Sequence, residues 1–235
     1  NSNENPRYES DTIDFLNSNI VDGIILSPTS SEISYIKKYI DSMPIVLINR
    51  YDPNLNSLPW VTADDFQAGY DATLHLVQHG HINIGVISAI PGVTTTMNRI
   101  KGYEQALKEN DISINNDLHE IGYATVNGGF NATLTLLNRN EDISALFILS
   151  DLMTIGAIKA IRQLGLKCPD DIAIIGFGDF ESASIVDPPI TTVNLPPETI
   201  GRTAFDALLN KIMNPKYNKH IQLPTTLIIR KSCGC

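Results

Sequence analysis

The chain has 235 residues, 43% hydrophobic and 18% charged, with a formal net charge of −9 at pH 7. An acidic surface repels phosphate, so these residues are not expected to bind nucleic acid by themselves. No apolar run approaches the roughly 20 residues that span a bilayer, so no transmembrane helix is expected. The polar first segment, residues 1–11, resembles no signal peptide.

The first third of the chain alternates short apolar runs with amphipathic segments. The length suits two small α/β lobes better than one large core. A helix is expected within residues 1–19, another at 32–40, and buried strands at 21–26, 45–48 and 60–63. The pair Asp64-Asp65 stands where a helix cap and a first-turn anion belong, and Gly80 is suited to end the helix that follows.

The central stretch, residues 80–110, combines a buried strand at 84–87 with a helix. The helix carries apolar side chains at helical spacing, and Arg99 lies in its first turn, close to the carboxyl end of the strand. Small ligands bind at that edge of open α/β sheets. A cation is mildly disfavoured at a helix amino terminus, and either a functional partner or simple solvation would offset that cost.

The remaining elements continue the alternation. Strands are expected at 119–123, 145–149, 172–175 and 226–230, and helices after Gly128, after Ser150-Asp151 and at 200–213. Residues 187–193 are expected to form an extended connector, because Pro188 and Pro189 forbid a helix. This order predicts an α/β fold with parallel sheets.

Two patterns raise the question of a metal. His75, His79 and His81 form H-x3-H-x-H, but His81 lies past the helix stop and no Glu stands between the first two as a base. Cys233 and Cys235 form a C-x-C, which offers two of the four ligands that zinc usually takes. We therefore expect no metal and no cofactor, and reduced thiols in a cytoplasmic protein.

The usual catalytic motifs are missing from the sequence. The turn at 176–179 is a G-x-G without the third glycine of a dinucleotide loop, and Asp179 would repel pyrophosphate. There is no phosphate-binding P-loop, and neither Ser88 nor Ser150 stands in a G-x-S-x-G elbow. Polar groups at strand ends without a catalytic set favour a binding protein over an enzyme.

Four pairs of segments resemble the effector-binding core of the lactose-repressor/galactose-repressor (LacI/GalR) family of bacterial transcription regulators. They are VDGIIL with PIVLINR, HLVQHGHINIGVISA with NRIKGYEQAL, ILSDLMTIGAIKAI with GLKCPDDIAIIGF, and PPITTVNLPPETIG with LIIRKS. The resemblance implies a type I periplasmic-binding-protein fold, in which three crossover strands join two Rossmann-like lobes and the effector cleft lies between them. It also implies a sugar or sugar phosphate as effector, a homodimer, and operator DNA bound by a helix-turn-helix headpiece that these residues do not contain.

The same resemblance predicts how the chain is divided. Residues 1–79 and 194–220 would form the amino-terminal lobe, and residues 80–193 and 221–235 the carboxy-terminal lobe. The chain begins after the point where family members have their first strand-helix-strand unit, so we expect the amino-terminal lobe to be incomplete and the chain to be a fragment. The competing interpretations are an exported solute-binding protein of a sugar transporter and an α/β enzyme that modifies sugars or uses NAD.

Site residues follow from the resemblance by position. Arg99 matches the family arginine that holds effector hydroxyls, and Thr95 matches a small polar position one turn earlier. The other positions expected to face the ligand are Phe66, Gln67, Tyr123, Ser150, Asp151 and Asp179. The chain departs from the family at three positions. Gly178 stands where an effector-binding aspartate is usual, and Asp179 is the candidate replacement. Ala124 stands where an aromatic residue is usual, with Tyr123 one place earlier, and Leu195 stands where a glutamine is often found.

Overall fold

The computed structural model describes residues 4–18 and 21–235. Its helices are α1 (Pro6–Ser18), α2 (Asp65–Gln78), α3 (Thr94–Glu109), α4 (Val126–Arg139), α5 (Asp151–Gln163), α6 (Glu181–Ile185) and α7 (Pro197–Met213). Its strands are β1 (Ile24–Leu26), β2 (Ile45–Ile48), β3 (Trp60–Ala63), β4 (Ile84–Ser88), β5 (His119–Ile121), β6 (Ala145–Ile148), β7 (Ala173–Gly178), β8 (Thr191–Asn194), β9 (His220–Leu223) and β10 (Thr226–Ile228). Short 3-10 helices cover Ser34–Tyr39 and Asn116–Leu118.

The chain divides into two units. Unit 1 takes the described residues up to 64, residues 92–95 and residues 196–224, and unit 2 takes residues 65–91, 96–195 and 225–235. No helix of the described residues combines the length and the apolar character that crossing a bilayer requires.

Unit 1 is built on a parallel sheet in the order β1-β2-β3-β9. Strand β2 is buried along most of its length, and its side chains pack with Ile33, Ile36 and Leu58 in one apolar core. The ring of Trp60 stacks on Tyr51 at 4.3 Å and on His220 at 4.7 Å between ring centroids, which links β3 to β9.

Unit 2 is built on a larger sheet in the order β10-β8-β7-β6-β4-β5. Strand β10 runs antiparallel to β8, and the other neighbours pair in parallel. The central strands β4 and β6 are buried throughout, as continuous apolar runs in a parallel sheet covered on both faces should be. The α/β class with parallel-sheet lobes, expected from the sequence, is confirmed.

Four segments lie in a different unit from the one expected from the sequence. Residues 65–79, which include α2, and residues 194–195 belong to unit 2, while residues 92–95 and 221–224 belong to unit 1. The place of residues 221–224 follows from β9, a strand that the sequence analysis missed: it pairs in parallel with β3, and Thr62 aligns with Gln222. In addition, the segment expected to form a helix at 32–40 is a 3-10 helix, Ser34–Tyr39.

Candidate functional site

Five of the residues singled out by sequence lie at one edge of the sheet of unit 2. Strands β4, β5, β6 and β7 run parallel, so their carboxyl ends meet at the same edge. Tyr123 follows β5, Ser150 and Asp151 follow β6, and Asp179 follows β7. Arg99 reaches this edge from α3, where its Nη1 donates a hydrogen bond of 3.2 Å to the carbonyl oxygen of Leu149.

Three protein groups fix the side chain of Arg99. Its Nε donates to Oδ1 of Asp65 at 2.7 Å, and its guanidinium carbon lies 3.6 Å from the ring centroid of Phe177. The third group is the carbonyl oxygen of Leu149. Within the residues that the structure describes, these hydrogen bonds occupy two of the five N–H donors of a guanidinium. The side chain is 13% exposed. Because its protein contacts already fix its orientation, the remaining N–H donors are oriented too.

Asp65, which the sequence analysis took for a helix-capping group, pairs with Arg99 at this edge of the sheet. It opens α2, and its side chain is only 4% exposed. Burial of a carboxylate requires a partner, and the guanidinium of Arg99 supplies one. The pairing depends on which helices lie side by side, so the local sequence around Asp65 carried no signal for it.

Glycines bring α2 and α3 close enough for this pair to form. A Cβ added to Gly69 would lie 2.1 Å from the carbonyl oxygen of Arg99, and one added to Gly102 would lie 2.1 Å from that of Phe66. Any larger residue at either position would force the two helix backbones apart.

Asp151, expected to contact the ligand, is fully buried at the start of α5. Its Oδ1 accepts a hydrogen bond from the hydroxyl of Thr192 at 2.7 Å, and its Oδ2 accepts one from the backbone N–H of Phe180 at 2.9 Å. Burial raises the pKa of this carboxyl, although both hydrogen bonds act in the opposite direction. In the structure Asp151 therefore ties α5 to β8 and to the turn after β7.

Asp179 lies in that turn with its backbone at a φ of 54°. Its Oδ1 accepts from Nη2 of Arg230 at 2.6 Å, and its Oδ2 accepts from Nδ2 of Asn194 at 2.8 Å. Burial alone would raise the pKa of this carboxyl, but the hydrogen bonds from Asn194 and Arg230 outweigh it, so the pKa is lowered. Arg230 and Asn194 are further polar residues of this edge that the sequence analysis did not name.

The other expected residues occupy the following places. Tyr123 is 66% exposed beyond β5, and Phe66 is 39% exposed in the first turn of α2. Gln67 is exposed beside it, and its Nε2 donates to Oδ1 of Asp71 at 2.7 Å. Ser150 is the half-buried residue before α5, and its hydroxyl makes no capping hydrogen bond. Thr95 is half-buried in the first turn of α3, in the part of that helix that belongs to unit 1.

Comparison with known proteins assigns this chain to a family. A family model described as a periplasmic binding protein-like domain matches residues 73–233. The HTH-type transcriptional repressor PurR of Histophilus somni (strain 129Pt) is 30% identical over 236 residues, which cover 99% of this chain and 70% of that repressor. A crystal structure of a regulatory protein of the LacI family from Chloroflexus aggregans matches with a TM-score of 0.85 and 29% identity, covering 95% of this chain and 80% of that one. This chain belongs to the LacI/GalR family.

A further LacI/GalR-like neighbour is a transcriptional regulator solved with a sugar, the CelR–cellobiose complex. It matches with a TM-score of 0.89 and 29% identity, covering 95% of this chain and 70% of that one. The matches cover the effector-binding core of the LacI/GalR family, which is the role expected from the sequence. Because the relatives are transcription regulators, an exported solute-binding protein is the less favoured interpretation.

Proposed function

We propose that this LacI/GalR core binds a neutral, polyhydroxylated small molecule, and that Arg99 is the principal polar contact for it. The observation that carries the proposal is the fixed guanidinium of Arg99, paired with Asp65 and stacked on Phe177 at the carboxyl edge of a parallel sheet. A planar guanidinium can hold two vicinal oxygen atoms at once, which the point charge of a lysine cannot do. Its free donors are oriented before the ligand arrives, so little conformational entropy is lost on binding.

The charges at this edge favour a neutral ligand over a phosphorylated one. Arg99 is paired with Asp65, and Arg230 is paired with Asp179, so each of these two cations already has a carboxylate beside it. An anion would meet those carboxylates in a chain of net charge −9. A hydroxyl group can accept from the guanidinium and donate to a carboxylate, and it gains from both partners. Cellobiose, the ligand named for the related CelR complex, belongs to this chemical class.

The surrounding residues take secondary roles in this proposal. Tyr123 offers an exposed ring to the apolar face of a sugar, and the uncapped hydroxyl of Ser150 offers a short hydrogen-bonding group. Phe66, Gln67 and Thr95 complete the expected ligand contacts. Asp151 and Asp179 act as positioning residues, because both carboxylates are engaged by protein groups that hold the turn after β7.

The regulatory consequence rests on linkage. If the ligand changes the affinity of the full-length regulator for operator DNA, then the DNA changes the affinity for the ligand by the same factor. DNA binding itself is assigned to a helix-turn-helix headpiece outside the described residues, as the name of the PurR relative indicates for that protein. We assign the protein to the cytoplasm, where such a regulator meets its operator, and we assign it no enzymatic activity.

We also propose that two copies of the chain associate through an apolar patch on unit 2. Its centre is Ile155 on α5 and Val186 just after α6, which line one shallow depression. Leu152 precedes Ile155 by one turn of α5, and Ile185 precedes Val186 in the chain. Ile185 is 77% exposed, and Leu152 is 40% exposed. Exposed apolar side chains grouped in this way are typical of protein–protein contacts.

A thermal-shift screen tests the choice of ligand class. The purified chain is mixed with neutral mono- and disaccharides and, in parallel wells, with their phosphorylated counterparts, because a ligand that binds only the folded state raises the melting temperature. The proposal predicts that a neutral sugar raises the melting temperature and that its phosphorylated form does so less. A stronger response to the phosphorylated members throughout the panel would contradict the proposed ligand class.

A further inference from the structure

A cluster of soft metal-binding groups lies at the far end of α2 from the ligand site. His75, in the last turn of α2, lies with Nε2 3.1 Å from Sγ of Cys235. Sγ of Cys235 lies 2.8 Å from Sγ of Cys233, and the three ligand atoms all lie within 4.8 Å of one another. His75 precedes the C-x-C by some 160 positions. The sequence therefore gave no sign that the histidine and the two cysteines are neighbours in the folded chain.

Hydrogen bonds hold the segment that carries the cysteines against the rest of unit 2. The backbone N–H groups of Lys231 and Ser232 both donate to the carbonyl oxygen of Pro189, and the hydroxyl of Ser232 donates to the carbonyl oxygen of Ile174 at 2.7 Å. Gly234, between the two cysteines, has a φ of 84°, a left-handed conformation that suits glycine. This turn directs both thiols toward the same point.

The three groups differ in exposure in a way that suits an accessible ion site. Cys233 is buried at 3% exposure, and the hydroxyl of Thr191 donates to its Sγ at 3.0 Å. His75 is half-buried and Cys235 is exposed. A metal ion could therefore enter from the Cys235 side and reach a sulfur atom that is already fixed by the protein.

We propose that His75, Cys233 and Cys235 form a binding site for zinc, with the fourth coordination position left to water. Two thiolates and one imidazole are a ligand set that zinc takes in proteins, and thiolate ligands select against magnesium and calcium. Zinc–sulfur bonds of about 2.3 Å in a tetrahedral site separate two sulfur atoms by roughly 3.8 Å. The exposed side chain of Cys235 supplies the required movement of about 1 Å by rotating away from Cys233. Bound zinc would then tie α2 to the carboxyl-terminal segment of unit 2.

The test uses Co²⁺ as a spectroscopic substitute for zinc on the full chain kept reduced with a phosphine. Thiolate coordination gives a sulfur-to-cobalt charge-transfer absorption, and tetrahedral geometry gives intense visible bands. The proposal predicts one Co²⁺ per chain with both signals, and displacement of that Co²⁺ by one equivalent of Zn²⁺. A chain that shows no charge-transfer band under reducing conditions would overturn the proposal.

Matched variants locate the ligands. Cys235→Ser and His75→Gln, both at accessible positions, are each expected to weaken metal binding at least tenfold. Cys168→Ser removes the remaining cysteine, and His79→Gln removes the neighbouring imidazole on α2; both are expected to bind as the wild type does. Unchanged metal binding in Cys235→Ser would show that the metal is bound at a different site and would reject this one.

Oxidation is a separate outcome that the same experiment distinguishes. Cys233 and Cys235 could pair as a disulfide in air, which removes two titratable thiols from the three that the chain carries. The site predicts that addition of the reductant restores both thiols and the cobalt bands together. Restored thiols without cobalt bands would contradict zinc binding.

Discussion

The carboxylate of Asp65 and the guanidinium of Arg99 meet at 2.7 Å, although the two residues lie on different helices, α2 and α3. Both side chains are largely removed from water, so neither charge is well solvated without the other. The guanidinium carbon of Arg99 also lies 3.6 Å from the ring centroid of Phe177. Asp65 thus prepares the cation that we propose to contact the ligand.

The first prediction concerns the stability that this pair provides. Asp65→Asn keeps one oxygen atom for the N–H of Arg99 but removes the charge, and it should lower the free energy of unfolding by about 1–3 kcal/mol. Urea denaturation of the variant and the wild type measures this. Asp71→Asn is the control, since Asp71 lies on the exposed side of the same helix. Equal effects of the two substitutions would show that the buried pair contributes nothing specific.

The second prediction concerns the close approach of α2 and α3. Gly102→Ala should destabilise the chain by roughly 1–3 kcal/mol, because the new methyl group would meet the carbonyl oxygen of Phe66. Gly201→Ala in α7 is the matched control: nothing lies within 4 Å of the added Cβ, and a gain of up to about 1 kcal/mol is expected from helix propensity alone. Thermal unfolding of both variants distinguishes the two signs, and a stabilised Gly102→Ala would disprove the tight crossing.

Sequence reasoning recovered the parts of this molecule that depend on local pattern. The apolar runs at 45–48 and 60–63 coincide with β2 and β3, because buried parallel strands are continuous apolar segments. Strand β9 was missed because His220–Leu223 alternates exposed and half-buried residues and stands apart from any strong apolar run. Its identity as a strand comes from pairing with β3, a contact across more than 150 residues of chain.

The candidate site shows the same division. Arg99 was singled out because its position after a buried strand is a local feature and because it matches an arginine of the family. Asp65 was taken for a helix cap, and Arg230 was not considered, because their partners Arg99 and Asp179 are distant in sequence. Asp151 was correctly placed after a strand, but its complete burial depends on Thr192, which only the fold brings to it.

The third prediction concerns the pH dependence of stability at Asp179. The pKa of its carboxyl is lowered in the folded chain, so its favourable contribution exists at pH values above the unfolded pKa of about 3.9 and is lost as the pH falls through the folded pKa. The difference in unfolding free energy between the wild type and Asp179→Asn should therefore be constant from about pH 5 to 7 and shrink below about pH 4. Asp142→Asn, at an exposed position, is the control and should show little difference at any pH. A difference for Asp179→Asn that grows on acidification would contradict the lowered pKa.

The fourth prediction concerns self-association. Ile185→Asp places a charge in the proposed apolar patch and should shift the chain from dimer to monomer in sedimentation experiments at micromolar concentration. Ile82→Asp is the matched control, because Ile82 is also well exposed, at 64%, but lies outside the patch, just before β4. A wild type that sediments as a monomer, or a dimer that survives Ile185→Asp, would contradict the proposed interface.

Calorimetry tests the role of Arg99 most directly. The sugar identified by the thermal-shift screen is titrated into three proteins: the wild type, Arg99→Lys and Arg202→Lys. Lysine at position 99 preserves a positive charge beside Asp65 but lacks the planar pair of donors, and Arg202 is exposed on α7 in unit 1. We predict that Arg99→Lys remains folded and loses at least tenfold in affinity, while Arg202→Lys binds as the wild type does. A folded Arg99→Lys with unchanged affinity would remove Arg99 from the ligand site and contradict the proposed function of this edge of the sheet.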